Sequence, residues 1–144
     1  MPKPLFQNEN NIKMKTKHKV LIVDDDVIFH MIAERYIVAS GLDMHPETFN
    51  DGQDLKHYFE AHYNKDVHYI IFLDINMPIM SGWDYLDWVK SEPFADTISV
   101  FIVTSSKNPN DKKKADSYTL IKGFLTKPFN NKYSQLVREI LNLE

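Results

Sequence analysis

Five short apolar runs, each ending in polar or charged residues and separated by stretches of helical period, constrain this chain more than any other feature. Val20 to Val23, Tyr69 to Leu73, Ile98 to Val103 and Gly123 to Leu125 are continuous and rich in β-branched and aromatic side chains. Strands buried on both faces of a parallel sheet have this character. Met44 to Phe49 is a weaker fifth run, and its Pro46 lacks a ladder donor, which places that strand at a sheet edge.

Helical patterns fill the gaps. Val27 to Ser40 stops at Gly41, and Leu55, Tyr58, Phe59 and His62 fall on one face of the next pattern. Trp83, Tyr85 and Trp88 follow Gly82 and supply packing for a third helix. Asp111 to Tyr118, with Lys112, Lys113 and Lys114 in a row, has a thin apolar face and is expected to pack least firmly. Those lysines read as a solvated face, with partner recognition as the lesser alternative. Tyr133, Leu136, Val137, Ile140 and Leu141 form a full apolar stripe at i, i+3, i+4, i+7 and i+8. Runs alternating with helices build βα units, so the expectation is an α/β fold: a doubly wound, five-stranded parallel sheet with helices on both faces.

A length of 144 residues suits one domain and leaves no room for a second of ordinary size. That domain is expected over residues 19–144. Residues 1–18 have only Leu5, Phe6, Ile12 and Met14 as apolar side chains among interleaved Asn and Lys, and read as a disordered polar tail. Met14 resembles a natural start, which would make the residues before it dispensable. The tail holds four lysines and one glutamate, leaving 13 positive and 19 negative residues in the rest, a balance of −6. An acidic domain of this kind gives no support to direct nucleic-acid binding. Absence of cysteine excludes a disulfide framework, a thiolate metal site and a thiol nucleophile, and fits the cytoplasm. Neither a signal-peptide core nor a membrane-length apolar stretch is present.

The residues just beyond the apolar runs carry the chemistry. Asp24, Asp25 and Asp26 end the first, Asp74 ends the third, Thr104 and Ser105 end the fourth, and Lys127 comes after the last. Ligands of an open parallel α/β sheet bind at the carboxyl ends of its strands, so these side chains should converge on one crevice. Singly each has a plainer reading: an acidic triplet as a helix N-terminus, Asp74 as the opening of an Asx turn, Thr104 and Ser105 as a cap, Lys127 as a surface lysine. Independent roles of that kind would scatter them around the fold. The six histidines are scattered, and His57 with His62 lacks the spacing of a zinc site.

Together these residues resemble the CheY-like receiver domains of two-component response regulators, from Lys19 to about Leu143. Val20-Leu21-Ile22-Val23-Asp24-Asp25-Asp26 is similar to the family's opening strand and acidic pair. Leu73-Asp74-Ile75-Asn76-Met77-Pro78 with Ser81-Gly82 is similar to its phosphoacceptor loop, and Val103-Thr104-Ser105 and Lys127-Pro128-Phe129 complete the set. The resemblance implies a flavodoxin-like strand order 2-1-3-4-5 and a signalling switch that accepts a phosphoryl group on Asp74. It further implies Mg²⁺ held by Asp25, Asp74 and the Asn76 backbone carbonyl, with Asp24 acting through water. Lys127 and Thr104 would contact the transferred group, and Phe124 would turn inward with Thr104. A plainer role for Phe124 is as a core residue. Asp26 falls outside the acidic pair and is expected to begin the first helix.

The partners implied are a sensor histidine kinase or histidine phosphotransfer protein and an unknown downstream protein, with the chain itself a monomer. It would assist its own phosphorylation and dephosphorylation without being an enzyme in the usual sense. A relay intermediate without its own output is the nearest alternative. A flavodoxin-like cofactor carrier is disfavoured because three aspartates occupy the position of a phosphate loop. A haloacid-dehalogenase-type phosphatase would need a second Asp where Asn76 stands, and a degenerate binding-only receiver would lack some of the side chains present here.

Overall fold

The structure, a computed structural model, describes residues 17–143. Five parallel strands form one sheet: β1 (Lys17–Val23), β2 (Glu47–Phe49), β3 (Val67–Leu73), β4 (Ile98–Thr104) and β5 (Ile121–Thr126), in the order β2-β1-β3-β4-β5. Five helices join them: α1 (Val27–Ser40), α2 (Gly52–His62), α3 (Gly82–Val89), α4 (Pro109–Ala115) and α5 (Asn131–Leu141), with a 3₁₀ turn at Ala95–Thr97 before β4. This is the doubly wound, flavodoxin-like arrangement that the alternation of runs and helices and the family resemblance lead one to expect.

Alternate residues of each central strand enter different cores. Leu21, Val23, Ile71, Leu73, Val100 and Ile102 pack with Leu55 and Phe59 of α2 and with Tyr85, Leu86 and Val89 of α3. Val20, Ile22, Ile70, Phe72, Phe101 and Val103 face the other way, onto Phe29, Ala33 and Ile37 of α1 and Val137 of α5. Both cores are built mainly of apolar side chains on either side of the sheet, which is why the central strands show no polar alternation in sequence.

Helix ends obey local chemistry. Asp26 caps α1, its carboxylate accepting from the Ile28 amide, and Gly41 closes the helix at φ 75°. Ser81 and Asp84 form a reciprocal capping box at the start of α3.

Four boundaries differ from those expected of the sequence. β1 begins at Lys17, so Lys17 and His18 leave the stretch assigned to a tail; the register pairs them with Val67 and His68 of β3. Residues 1–16, on which the rest of that tail assignment falls, lie outside the described residues. β2 starts only after Pro46, at the sheet edge. α4 opens at Pro109, which needs no amide donor in a first turn, and ends before Tyr118. β5 runs from Ile121 to Thr126, beyond the Gly123–Leu125 core, because backbone pairing with β4 extends past the apolar residues.

Tyr118 instead stacks on Trp83 of α3 with centroids 5.5 Å apart, and its hydroxyl donates to Asp87 over 2.7 Å. Burial, helped by the Asp87 carboxylate, pushes its pKa up to about 12. α1 differs from the other helices in keeping Val27, Ile28 and Met31 more than 60% exposed on its outer side. No helix among the described residues is long and apolar enough to cross a membrane.

Candidate functional site

The site is assembled by the ladder itself. The Asp74 amide donates to the Val23 carbonyl over 2.9 Å, and the Lys127 amide donates to the Thr104 carbonyl over 3.0 Å. Pairing between neighbouring strands therefore continues just past their ends and fixes where Asp74 and Lys127 leave the sheet. Asp24 is tied across to the edge strand by its amide, 3.0 Å from the Phe49 carbonyl. The loop after Asp74 passes close under α3: a Cβ on Gly82 would lie 2.5 Å from the Asp74 carbonyl oxygen. Only glycine allows that approach.

Three of the four segments meet in space. Carboxylate oxygens of Asp24, Asp25 and Asp74 all lie within 4.8 Å of one another. The Lys127 ammonium sits 2.6 Å from Asp24 Oδ2 and 3.2 Å from Asp74 Oδ2. It also lies over the Phe29 ring, 4.8 Å from the centroid. Each aspartate has a different environment. Asp24 is fully buried, Asp74 is 7% exposed, and Asp25 is open to solvent. Asp74 Oδ1 accepts from the Asn76 amide over 3.2 Å, and Asp24 Oδ1 accepts from the Asp26 amide over 2.9 Å. Apart from its ion pair with Lys127, Asp24 Oδ2 has no hydrogen-bond partner among the described residues.

Electrostatics of the crevice result from this packing. Burial raises the Asp24 pKa above the ordinary carboxylate value; Lys127 opposes the shift and the Asp74 charge adds to it. Burial alone would lower Lys127, but the Asp24 and Asp74 carboxylates outweigh it and hold the lysine above its usual value. One ammonium thus serves two carboxylates and leaves a third exposed. An oxygen-only donor set of three carboxylates against one ammonium suits a hard divalent cation such as Mg²⁺.

Thr104 is buried at the end of β4, where its Oγ1 accepts from the Ser106 amide over 3.1 Å. Its O–H is donated to no described residue. Ser106 in turn donates its hydroxyl to Asp111 in the first turn of α4, 2.5 Å away. Asn76 is exposed beside Asp74. Phe124 is not part of this crevice: it packs against the α2–α3 core and lines a cleft of about 330 Å³ with Lys112, Ala115 and Asp116. Phe29, His30 and Ser106 are contributors that the sequence alone did not single out. An aromatic and a histidine near the start of an apolar helix carry no local sign of the lysine or the carbonyls they meet.

A model of the response regulator receiver domain matches residues 20–140, nearly all of the described chain. The chain belongs to the response regulator receiver family. The receiver is 31% identical over 112 residues to the "Gliding motility regulatory protein" of Myxococcus xanthus, covering 74% of this chain and 14% of that protein. It is 25% identical over 113 residues to the "Probable transcriptional regulator ycf29" of Pyropia yezoensis, covering 78% of this chain and 48% of that protein. It therefore spans half or less of the length of these two curated relatives. Among solved structures, a two-component response regulator from Cytophaga hutchinsonii superposes with a TM-score of 0.74 at 24% identity, covering 89% of this receiver and 99% of that chain. At that identity the likeness speaks for the fold.

Proposed function

We propose that this receiver is a Mg²⁺-dependent phosphoacceptor switch whose nucleophile is Asp74. The observation that carries this reading is the shared ammonium: Lys127 reaches Asp24 and Asp74 together, with Asp25 in the same cluster. A carboxylate placed against a fixed cation at a strand end is positioned to attack phosphorus. An Asp74 oxygen forms the new P–O bond as the P–N bond of a phosphohistidine breaks, and the departing imidazole regains a proton from solvent. The donor is a sensor histidine kinase or a histidine phosphotransfer protein.

Asp24, Asp25, Asp74 and the Asn76 backbone carbonyl would hold Mg²⁺. Bound there, the ion supplies neutralising charge for the phosphoryl oxygens. The chain's own residues do the rest by position and charge, which is most of what phosphoryl transfer requires. Lys127 is already at the Asp74 carboxylate, so its ammonium is in place for an added phosphoryl oxygen without a long reach. The undonated Thr104 O–H supplies a second contact, and turning toward the new group changes its bond with the Ser106 amide. That change is a differential contact of the kind a two-state switch needs. Transmission then runs to α4 and Phe124 and out to a downstream protein through the α4–β5–α5 face. A relay without output would share the chemistry at Asp74 but not this transmission.

Incubating the protein with Mg²⁺ and acetyl phosphate, followed by intact mass measurement, tests the assignment. The expected gain is one phosphoryl group, absent in Asp74→Asn and absent without divalent cation. A gain that persists in Asp74→Asn would refute the nucleophile.

A further inference from the structure

His30 in the first turn and a half of α1 is 8% exposed, and its Nε2 lies 2.5 Å from the Asp24 carbonyl oxygen and 3.1 Å from the Phe49 carbonyl oxygen. Carbonyl oxygens only accept, so Nε2 carries the proton and is shared between them. The Phe49 oxygen also accepts from the Asp24 amide. A closed clasp results: the Asp24 N–H and the His30 Nε2–H converge on the Phe49 carbonyl, and the same Nε2–H reaches back to the Asp24 carbonyl. It ties together the end of β1, the end of the three-residue edge strand β2 and the first helix.

We propose that His30 is a positioning residue for Mg²⁺ binding in the acidic crevice, acting through the Asp24–Asp25 peptide; this rests on reading that crevice as the Mg²⁺ site. The carbonyl it holds belongs to the peptide that links the buried Asp24 to the exposed Asp25. Rotation of that peptide would swing the Asp25 carboxylate relative to Asp74 while leaving Asp24 anchored by its amide. Strand pairing does not prevent this rotation, because the last β1–β2 partners are Val23 and Phe49. The imidazole braces the peptide at its carbonyl, beside the bond that closes across it from the Asp26 amide to Asp24 Oδ1. Phe29, the preceding residue, holds the Lys127 ammonium over its ring, so one turn of α1 places both the acidic and the basic side of the crevice.

The test compares His30→Leu, His30→Gln and His30→Asn in the full chain by calorimetric titration with Mg²⁺, alongside metal-free thermal melts. A glutamine amide can place its nitrogen near the imidazole Nε2 position; an asparagine amide falls short of it. Removing an outer-shell partner typically weakens metal binding by about 10- to 100-fold. Leu and Asn should therefore weaken Mg²⁺ binding by about tenfold or more, and Gln should stay within about threefold of wild type. If His30→Leu does not fold, the Gln and Asn pair carries the same comparison between two polar side chains. Leu or Asn with wild-type affinity, whatever their melting temperatures, would overturn the inference, as would Gln binding as weakly as Asn. Wild-type protein that fails to bind Mg²⁺ would overturn the crevice reading and this inference with it, whereas normal wild-type binding with insensitive variants would overturn this inference alone.

Discussion

Replacing Gly82 with alanine should damage stability and phosphoryl transfer together, because this glycine lies directly against the backbone of the acceptor loop. The added Cβ would lie 2.5 Å from the Asp74 carbonyl oxygen and 2.9 Å from the Ile75 Cα. Carbon–oxygen contacts settle at about 3.3 Å or more, so either α3 or the Asp74 loop must yield by roughly 0.8 Å. Both neighbours are backbone, and neither can rotate away as a side chain would. Overpacking of this kind costs about 1–3 kcal/mol, and alanine's better helix propensity returns less than about 1 kcal/mol of it at this first helical position. For a domain of this size each kcal/mol is worth roughly 4 °C, so a net loss of up to about 2–3 kcal/mol should lower the melting temperature by up to about 8–12 °C. A displacement approaching 1 Å at the nucleophile can slow transfer by up to about 100-fold. Scanning calorimetry and initial phosphorylation rates from acetyl phosphate measure the two effects. Gly41→Ala is the control: at φ 75° it strains the end of α1 by about 1 kcal/mol, but its Cβ meets only an Arg138 side-chain nitrogen at 3.7 Å. A Gly82→Ala protein that melts lower yet phosphorylates at the rate of Gly41→Ala would refute the expectation that the clash displaces the Asp74 loop, and would place the whole shift in α3.

Asp24→Asn should raise the melting temperature of metal-free protein at neutral pH by a few degrees. The folded pKa of Asp24 is raised, so its neutral form is the one the fold favours: stability is fully present below the ordinary value of 3.8 and declines as pH rises through the folded pKa. The same variant should flatten that decline in melts across mildly acidic pH and lose the added stability that Mg²⁺ gives wild type; a lower melting temperature for the metal-free variant at neutral pH would contradict this account. Thr104→Ala should still accept phosphate on Asp74 while losing about 1 kcal/mol from the broken bond with the Ser106 amide. In wild type, beryllofluoride should alter amide exchange across residues 107–132, and the variant should show little of that response. Equal responses in both proteins would remove Thr104 from the transmission path.

The sequence by itself determined the strand ends. Asp24, Asp74 and Thr104 could be placed because each comes directly after a run of side chains buried on both sides, and that character is local to the run; Lys127 lies two residues beyond Leu125, after an edge strand that is only partly buried. The helix stops at Gly41 and the Asp26 cap were legible for the same reason, since capping involves residues two or three apart. The carboxylate that Lys127 approaches most closely was decided only by tertiary structure. Asp24 at 2.6 Å and Asp74 at 3.2 Å are 103 and 53 residues from the lysine, and their separation depends on how three strand ends sit side by side. Burial of Asp24 beside an exposed Asp25 was likewise invisible in a triplet of identical letters; it depends on which of them turns under the edge strand. His30 shows the limit most clearly. Its position on α1 is fixed by local periodicity, but its two acceptors come from the ends of β1 and β2, and a carbonyl's need for a donor leaves no mark in the sequence.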